Sequence, residues 1–109
     1  MATAYKVLGQ IAPLATTATA IYTVPSATQA VVSSIVVCER GGAGATFRLA
    51  VRPNGATLAN QHYLVYEAAI DARDTLIFTV GLTLDATDVL EAYASTGDFT
   101  FQAFGSEIT

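Results

Sequence analysis

Residues 45–52, Ala45-Thr46-Phe47-Arg48-Leu49-Ala50-Val51-Arg52, alternate strictly: Ala45, Phe47, Leu49 and Val51 point one way, and Thr46, Arg48, Ala50 and Arg52 the other. A period of two marks a strand with one face in a core, because successive Cβ atoms leave opposite sides of the pleat; a helix would repeat its apolar residues every three to four positions. Turn chemistry closes both ends. Glu39-Arg40-Gly41-Gly42-Ala43-Gly44 precedes the strand and Pro53-Asn54-Gly55 follows it, with glycines to supply positive φ and proline to end the ladder.

The same pattern extends in both directions. Toward the N-terminus, residues 29–38 place Val31, Ser33, Ile35 and Val37 on one side and Val32, Ser34, Val36 and Cys38 on the other, so both faces read as buried. Residues 18–24 are β-branched and aromatic and stop at Pro25, which cannot donate to a ladder. Residues 4–11 alternate Tyr5, Val7, Gly9 and Ile11 against Ala4, Lys6, Leu8 and Gln10, and Pro13 closes them. Toward the C-terminus, a polar loop to Gln61 leads into a strand over His62 to Ile70. Ile70-Asp71-Ala72-Arg73-Asp74 is then echoed 14 residues later by Leu84-Asp85-Ala86-Thr87-Asp88. Both read as turns, because Asp side chains satisfy nearby backbone N–H groups there. Apolar runs follow each (Thr75 to Leu82, Val89 to Ala94), and Phe99 to Phe104 form a last strand before a short tail from Gly105 to Thr109.

About eight short strands separated by turns, with no stretch of helical period, predict an all-β protein: one antiparallel β-sandwich domain over residues 1–109, jelly-roll or immunoglobulin-like in topology. The 109 residues are 52% hydrophobic and 13% charged, with a net charge of −4, the opposite of a disordered composition. Val89 and Tyr93 flank Glu91 on one face of their strand while Leu90, Ala92 and Ala94 take the other. A strand apolar on both faces is unusual in an isolated two-layer sandwich, so Val89, Glu91 and Tyr93 are expected at a subunit interface.

Partners and chemistry narrow by elimination. Five scattered cations (Lys6, Arg40, Arg48, Arg52, Arg73) against nine acidic residues give no basic surplus for nucleic acid. Apolar runs such as Ile35 to Cys38 are far shorter than the roughly 20 residues of a membrane-spanning helix, and the absence of a secretory pattern at the N-terminus predicts folding in a cytoplasm. The single Cys38 forms no intrachain disulfide, in keeping with a reducing compartment. One His, His62, and one Cys make neither a nucleophile–base pair of recognisable pattern nor a closed zinc site. Asp71, Asp74, Asp85 and Asp88 supply oxygen ligands only if their two turns meet, and they lack the spacing of a calcium loop. No enzyme activity and no cofactor are expected. Tyr63 and Tyr66, with Phe99 and Phe101, are the aromatic residues weighed for a carbohydrate groove, against the ordinary alternative of core and sheet-face packing.

Several segments together carry a family resemblance: Ala4-Tyr5-Lys6-Val7-Leu8-Gly9-Gln10, Ile21-Tyr22-Thr23-Val24-Pro25, residues 31–38, Asp88-Val89-Leu90-Glu91-Ala92-Tyr93-Ala94-Ser95 and Phe104-Gly105-Ser106-Glu107-Ile108. In these the chain resembles small virion structural proteins of tailed bacteriophages. The resemblance implies a non-enzymatic protein made in the host cytoplasm and built into the virion. The favoured placement is a capsid decoration or cement protein on the major capsid protein shell, a homo-oligomer with a trimer favoured. The alternative is a tail, baseplate or fibre component that contributes to receptor or carbohydrate binding. The loop residues Asn54, Gly55, Asn60 and Gln61 are the expected partner-facing positions.

Overall fold

The computed structural model describes residues 2–109. Its strands are β1 (Thr3–Ile11), β2 (Thr19–Thr23), β3 (Gln29–Glu39), β4 (Ala45–Arg52), β5 (Tyr63–Ile70), β6 (Thr75–Leu84), β7 (Val89–Ala94) and β8 (Phe99–Ile108), with single 3-10 turns at Pro53–Gly55 and Asn60–His62. They form two four-stranded antiparallel sheets, β1-β8-β3-β6 and β2-β7-β4-β5. The pairing is nested: β1 with β8, β2 with β7, β3 with β6 and β4 with β5. The chain is thus one long antiparallel ribbon, rolled so that β8 also pairs with β3 and β7 with β4. That is a jelly-roll order; an immunoglobulin sandwich would place its first two strands side by side in one sheet.

The core fills the space between the sheets. Phe47 of β4, fully buried, packs across the interlayer against Phe99 and Phe101 of β8, with ring centroids 6.0 and 6.1 Å away, and against Phe78 of β6 at 6.1 Å. The alternation expected for residues 45–52 holds, with Phe47 and Leu49 inside and Arg48 and Arg52 outside.

Two other strands depart from the expected parity, and in both a β-bulge is the reason. At Ser33 the register of β3 shifts against β8 and β6, so Val32 joins Ile35 and Val37 in the core while Val31 turns outward with Ser34, Val36 and Cys38. A bulge between Val7 and Gly9 likewise sends Val7 outward beside Phe104 and Leu8 inward. An extra residue on one strand inverts every later side chain. The short tail expected after Phe104 is instead ladder: Gly105 to Ile108 pair with both β1 and β3. Gly105 lets the strands close, because a Cβ there would lie 1.9 Å from the Val31 carbonyl oxygen, and Gly9 meets the Ile21 carbonyl oxygen at 2.0 Å in the same way.

Glu107 faces the gap between the sheets, where its Oε2 accepts a hydrogen bond from the Tyr22 hydroxyl at 2.5 Å and its Oε1 one from Lys6 Nζ at 3.0 Å. The Tyr22 bond, then Lys6, hold the Glu107 carboxyl below its ordinary pKa. Burial, reinforced by Glu107, pushes the Tyr22 phenol above its ordinary range. A depressed carboxyl stabilises the fold above its unfolded pKa of about 4.3 and stops doing so as pH falls through the folded value; a raised phenol stabilises below about pH 10 and fails as pH rises through its folded value. Thermal melts across pH are therefore expected to show Tyr22→Phe less stable than the parent at neutral pH, with shallower losses at both the acid and alkaline ends. In the core, Phe47→Ala is expected to cost about 3–5 kcal/mol in denaturant unfolding.

Candidate functional site

The two outer faces of the sandwich have opposite chemistry. On the β1-β8-β3-β6 sheet, cross-strand register sets Val7 beside Phe104 and then Ser34 and Thr79; one row along come Gln10, Gln102, Val36 and Ile77. Gln10 donates to Gln102 across this face at 2.8 Å. Tyr5 and Ile77 are 86% and 67% exposed, and Val7 also faces solvent. Among the described residues, the outward positions of these four strands hold no Asp, Glu, Lys or Arg. The one Lys on β1, Lys6, is opposite Gly105 and reaches Glu107 instead.

The outer face of the β2-β7-β4-β5 sheet concentrates charge and aromatic rings. Arg48 of β4 lies between Tyr93 of β7 and Tyr66 of β5, its guanidinium carbon 4.2 and 4.6 Å from the two ring centroids, a cation–π arrangement on both sides. Its Nε donates to Glu67 Oε1 at 2.8 Å, and Thr46 donates to the other Glu67 oxygen at 2.9 Å. Arg48 first and Thr46 second hold the Glu67 carboxyl below its ordinary pKa, and Glu67 in turn raises Arg48. Tyr63 meets Tyr66 edge to face, with centroids 4.9 Å apart.

Arg52 links this face to the loop beyond β4. Its Nε donates to Glu91 Oε1 at 2.6 Å, and its Nη1 donates to the Gly55 and Ala56 carbonyls at 3.1 and 2.9 Å. Asn54 N–H donates to Asp88 Oδ1 at 2.8 Å, and Ala59 N–H donates to His62 Nδ1 at 3.0 Å. His62 thus braces a turn.

These contacts divide the residues expected at binding positions. Val89 and Glu91 are only 7% and 6% exposed within the single chain, and Tyr93 is half-buried. The cover comes from the chain itself: the first 3-10 turn packs on β7, and Thr16 N–H donates to the Ala94 carbonyl at 2.8 Å. No second subunit is needed to bury Val89 or Glu91. On the uncharged face of the other sheet Tyr5, Val7 and Ile77 are exposed. In the loop, Asn54 and Gly55 are pinned to the β6–β7 turn and to Arg52, whereas Asn60 borders a hollow shared with Tyr63 and Tyr66. Gln61 is exposed beside it.

Of the four aromatics considered for a groove, Tyr63 and Tyr66 share this face, but Phe99 and Phe101 are fully buried in the core. Strand parity counted back from Ala103 places both phenylalanines inside with it. The two Asp turns lie at opposite ends of β6, and each closes on itself, with Asp74 N–H donating to the Asp71 carbonyl and Asp88 N–H to that of Asp85. Among the described residues no group of three His, Cys, Asp or Glu side chains is placed to hold a metal ion. Cys38, read from the sequence as a small buried thiol, is half-buried on the uncharged face, opposite Thr75 and Thr100.

The Arg52–Glu91 pair fixes both loop and sheet, so Arg52→Ala is expected to lower unfolding free energy by about 3 kcal/mol, the lower end of the cost of orphaning a buried partner. Adding Glu91→Gln is expected to recover part of that loss in a double-mutant cycle. No protein-family model matches the chain, and no curated protein matches it.

Proposed function

We propose that the protein is a non-enzymatic structural component of a tailed-phage particle, a capsid decoration or cement protein, and that its copies associate with one another through the outer face of the β1-β8-β3-β6 sheet. The resemblance of its strand segments supports the particle. The uncharged outer face supports the mode of association. Interface centres are depleted of charged residues, and a chain of net charge −4 meets a second copy with least repulsion through a surface that carries no charge.

The area is sufficient. Four strands of 9 to 11 residues, spaced about 4.8 Å apart and rising about 3.3 Å per residue, outline roughly 600 Å². Two such faces together bury about 1,200 Å², the lower bound for a specific, stable interface. Copies joined in this way present their charged sheets outward. A small closed oligomer suits the symmetry-related sites of a shell; two faces that meet whole make a two-fold dimer, whereas the trimer favoured from the sequence would divide each face between two neighbours.

Light scattering on the purified protein is expected to give an oligomer that Ile77→Asp or Phe104→Asp dissociates and that Thr57→Asp, on the opposite side, leaves intact. Quantitative mass spectrometry of purified particles is expected to find the protein at a copy number comparable with that of the major capsid protein. A few tens of copies would move it to the tail, and its absence would end the virion reading.

A further inference from the structure

The charged sheet contains a second surface that association through the uncharged face leaves free. Tyr63 stands between two hollows. One, of about 270 Å³, is lined by Arg48, Ala50, Leu58, Tyr63, Glu91 and Tyr93, among others. The other, of about 380 Å³, lies between Asn60, Tyr63 and Tyr66. Each is close to the lower end of the 300–1,000 Å³ usual for small-molecule sites.

We propose that these two hollows, which share Tyr63, bind a neutral saccharide, with Tyr63 as the shared stacking surface and Glu91 and Asn60 as hydrogen-bonding partners for its hydroxyls. The ligand class follows from three features. The cations are already neutralised, Arg48 by Glu67 and Arg52 by Glu91, so the site has no unpaired charge to recognise a phosphate, carboxylate or ammonium. The rings are held in place before any ligand arrives: Arg48 is stacked between Tyr66 and Tyr93, and Tyr66 supports Tyr63 edge to face. Preorganised aromatics bind at low entropic cost. Finally, Glu91 is 94% buried yet lines the hollow. Arg52 occupies its Oε1, and Oε2 accepts no hydrogen bond from the described residues. A carboxylate held this way accepts from hydroxyls, and a sugar offers hydroxyls around an apolar C–H face that suits a tyrosine ring.

The hollows lie on the sheet opposite the association face, so this proposal stands or falls separately from oligomer formation. The test is an NMR titration of the full chain with a panel of neutral oligosaccharides built from glucose, galactose, mannose or N-acetylglucosamine, with sialylated glycans as the charged comparison. Binding of a neutral glycan is expected to shift the backbone amides of Leu58, Tyr63 and Tyr93 and to leave Ile77 and Phe104 unmoved. Tyr63→Ala is expected to weaken binding at least tenfold. Asn60→Ala, at an exposed position that preserves the fold, is expected to weaken it severalfold. No shift with any neutral glycan, shifts confined to the other sheet, binding of sialylated glycans alone, or affinity unchanged in Asn60→Ala and in a folded Tyr63→Ala would each overturn the proposal.

Discussion

The last strand has to fit between the first and the third. β8 pairs with β1 along one edge and β3 along the other, so the β1-β8-β3-β6 sheet is incomplete until the C-terminal residues arrive. Its fit depends on close backbone approach at Gly105, where no side chain would clear the Val31 carbonyl. It also depends on Phe99, Phe101 and Ala103 reaching the core in phase with Phe47 of the other layer. Nearly all the pairings join residues far apart in sequence, the arrangement that costs loop-closure entropy before contacts repay it.

Parity within that sheet determines the character of its surface. Had β3 alternated without the bulge at Ser33, Val32 would share the outer side with Val36 while Val31 faced inward. The bulge keeps Val32, Ile35 and Val37 inside and leaves an outer side of Thr, Ser and Gln interspersed with Val7, Val36, Ile77 and Phe104. Charges gather on the opposite sheet instead, where neighbouring strands pair each one: Arg48 with Glu67 and Arg52 with Glu91. The sandwich therefore has one uncharged outer side and one charge-balanced, aromatic outer side.

Rigidity on the aromatic side comes from the same pairs. Arg52 ties Glu91 to the loop carbonyls of Gly55 and Ala56, and the Asp88 side chain receives the Asn54 N–H. A segment that composition marks as a polar loop is thereby tied to the sheet at several points. Glu39 at the end of β3 obeys a different logic: its Oε1 accepts the Gly41 N–H, while its Oε2 is buried with no partner. Nothing in the surrounding structure explains that second oxygen.

The sequence alone determined the class of fold, because side-chain alternation and turn chemistry are local. Residues 45–52 pack as their period requires, and the two Asp-bounded segments are the turns their spacing predicts. Half of the candidate site was legible in the same way, since Tyr63 and Tyr66 are close neighbours on one strand. Tertiary structure decided the rest. The choice of jelly roll over immunoglobulin order rests on β8 returning to β1, a contact between opposite ends of the chain. The parity of β1 and β3 rests on bulges that are defined only against a partner strand. Arg48 meets Tyr93, and Arg52 meets Glu91, only once β7 lies beside β4. Burial of Val89 and Glu91 by their own chain came from the same long-range packing. A linear pattern records which side chains alternate, but not which surface folds over them.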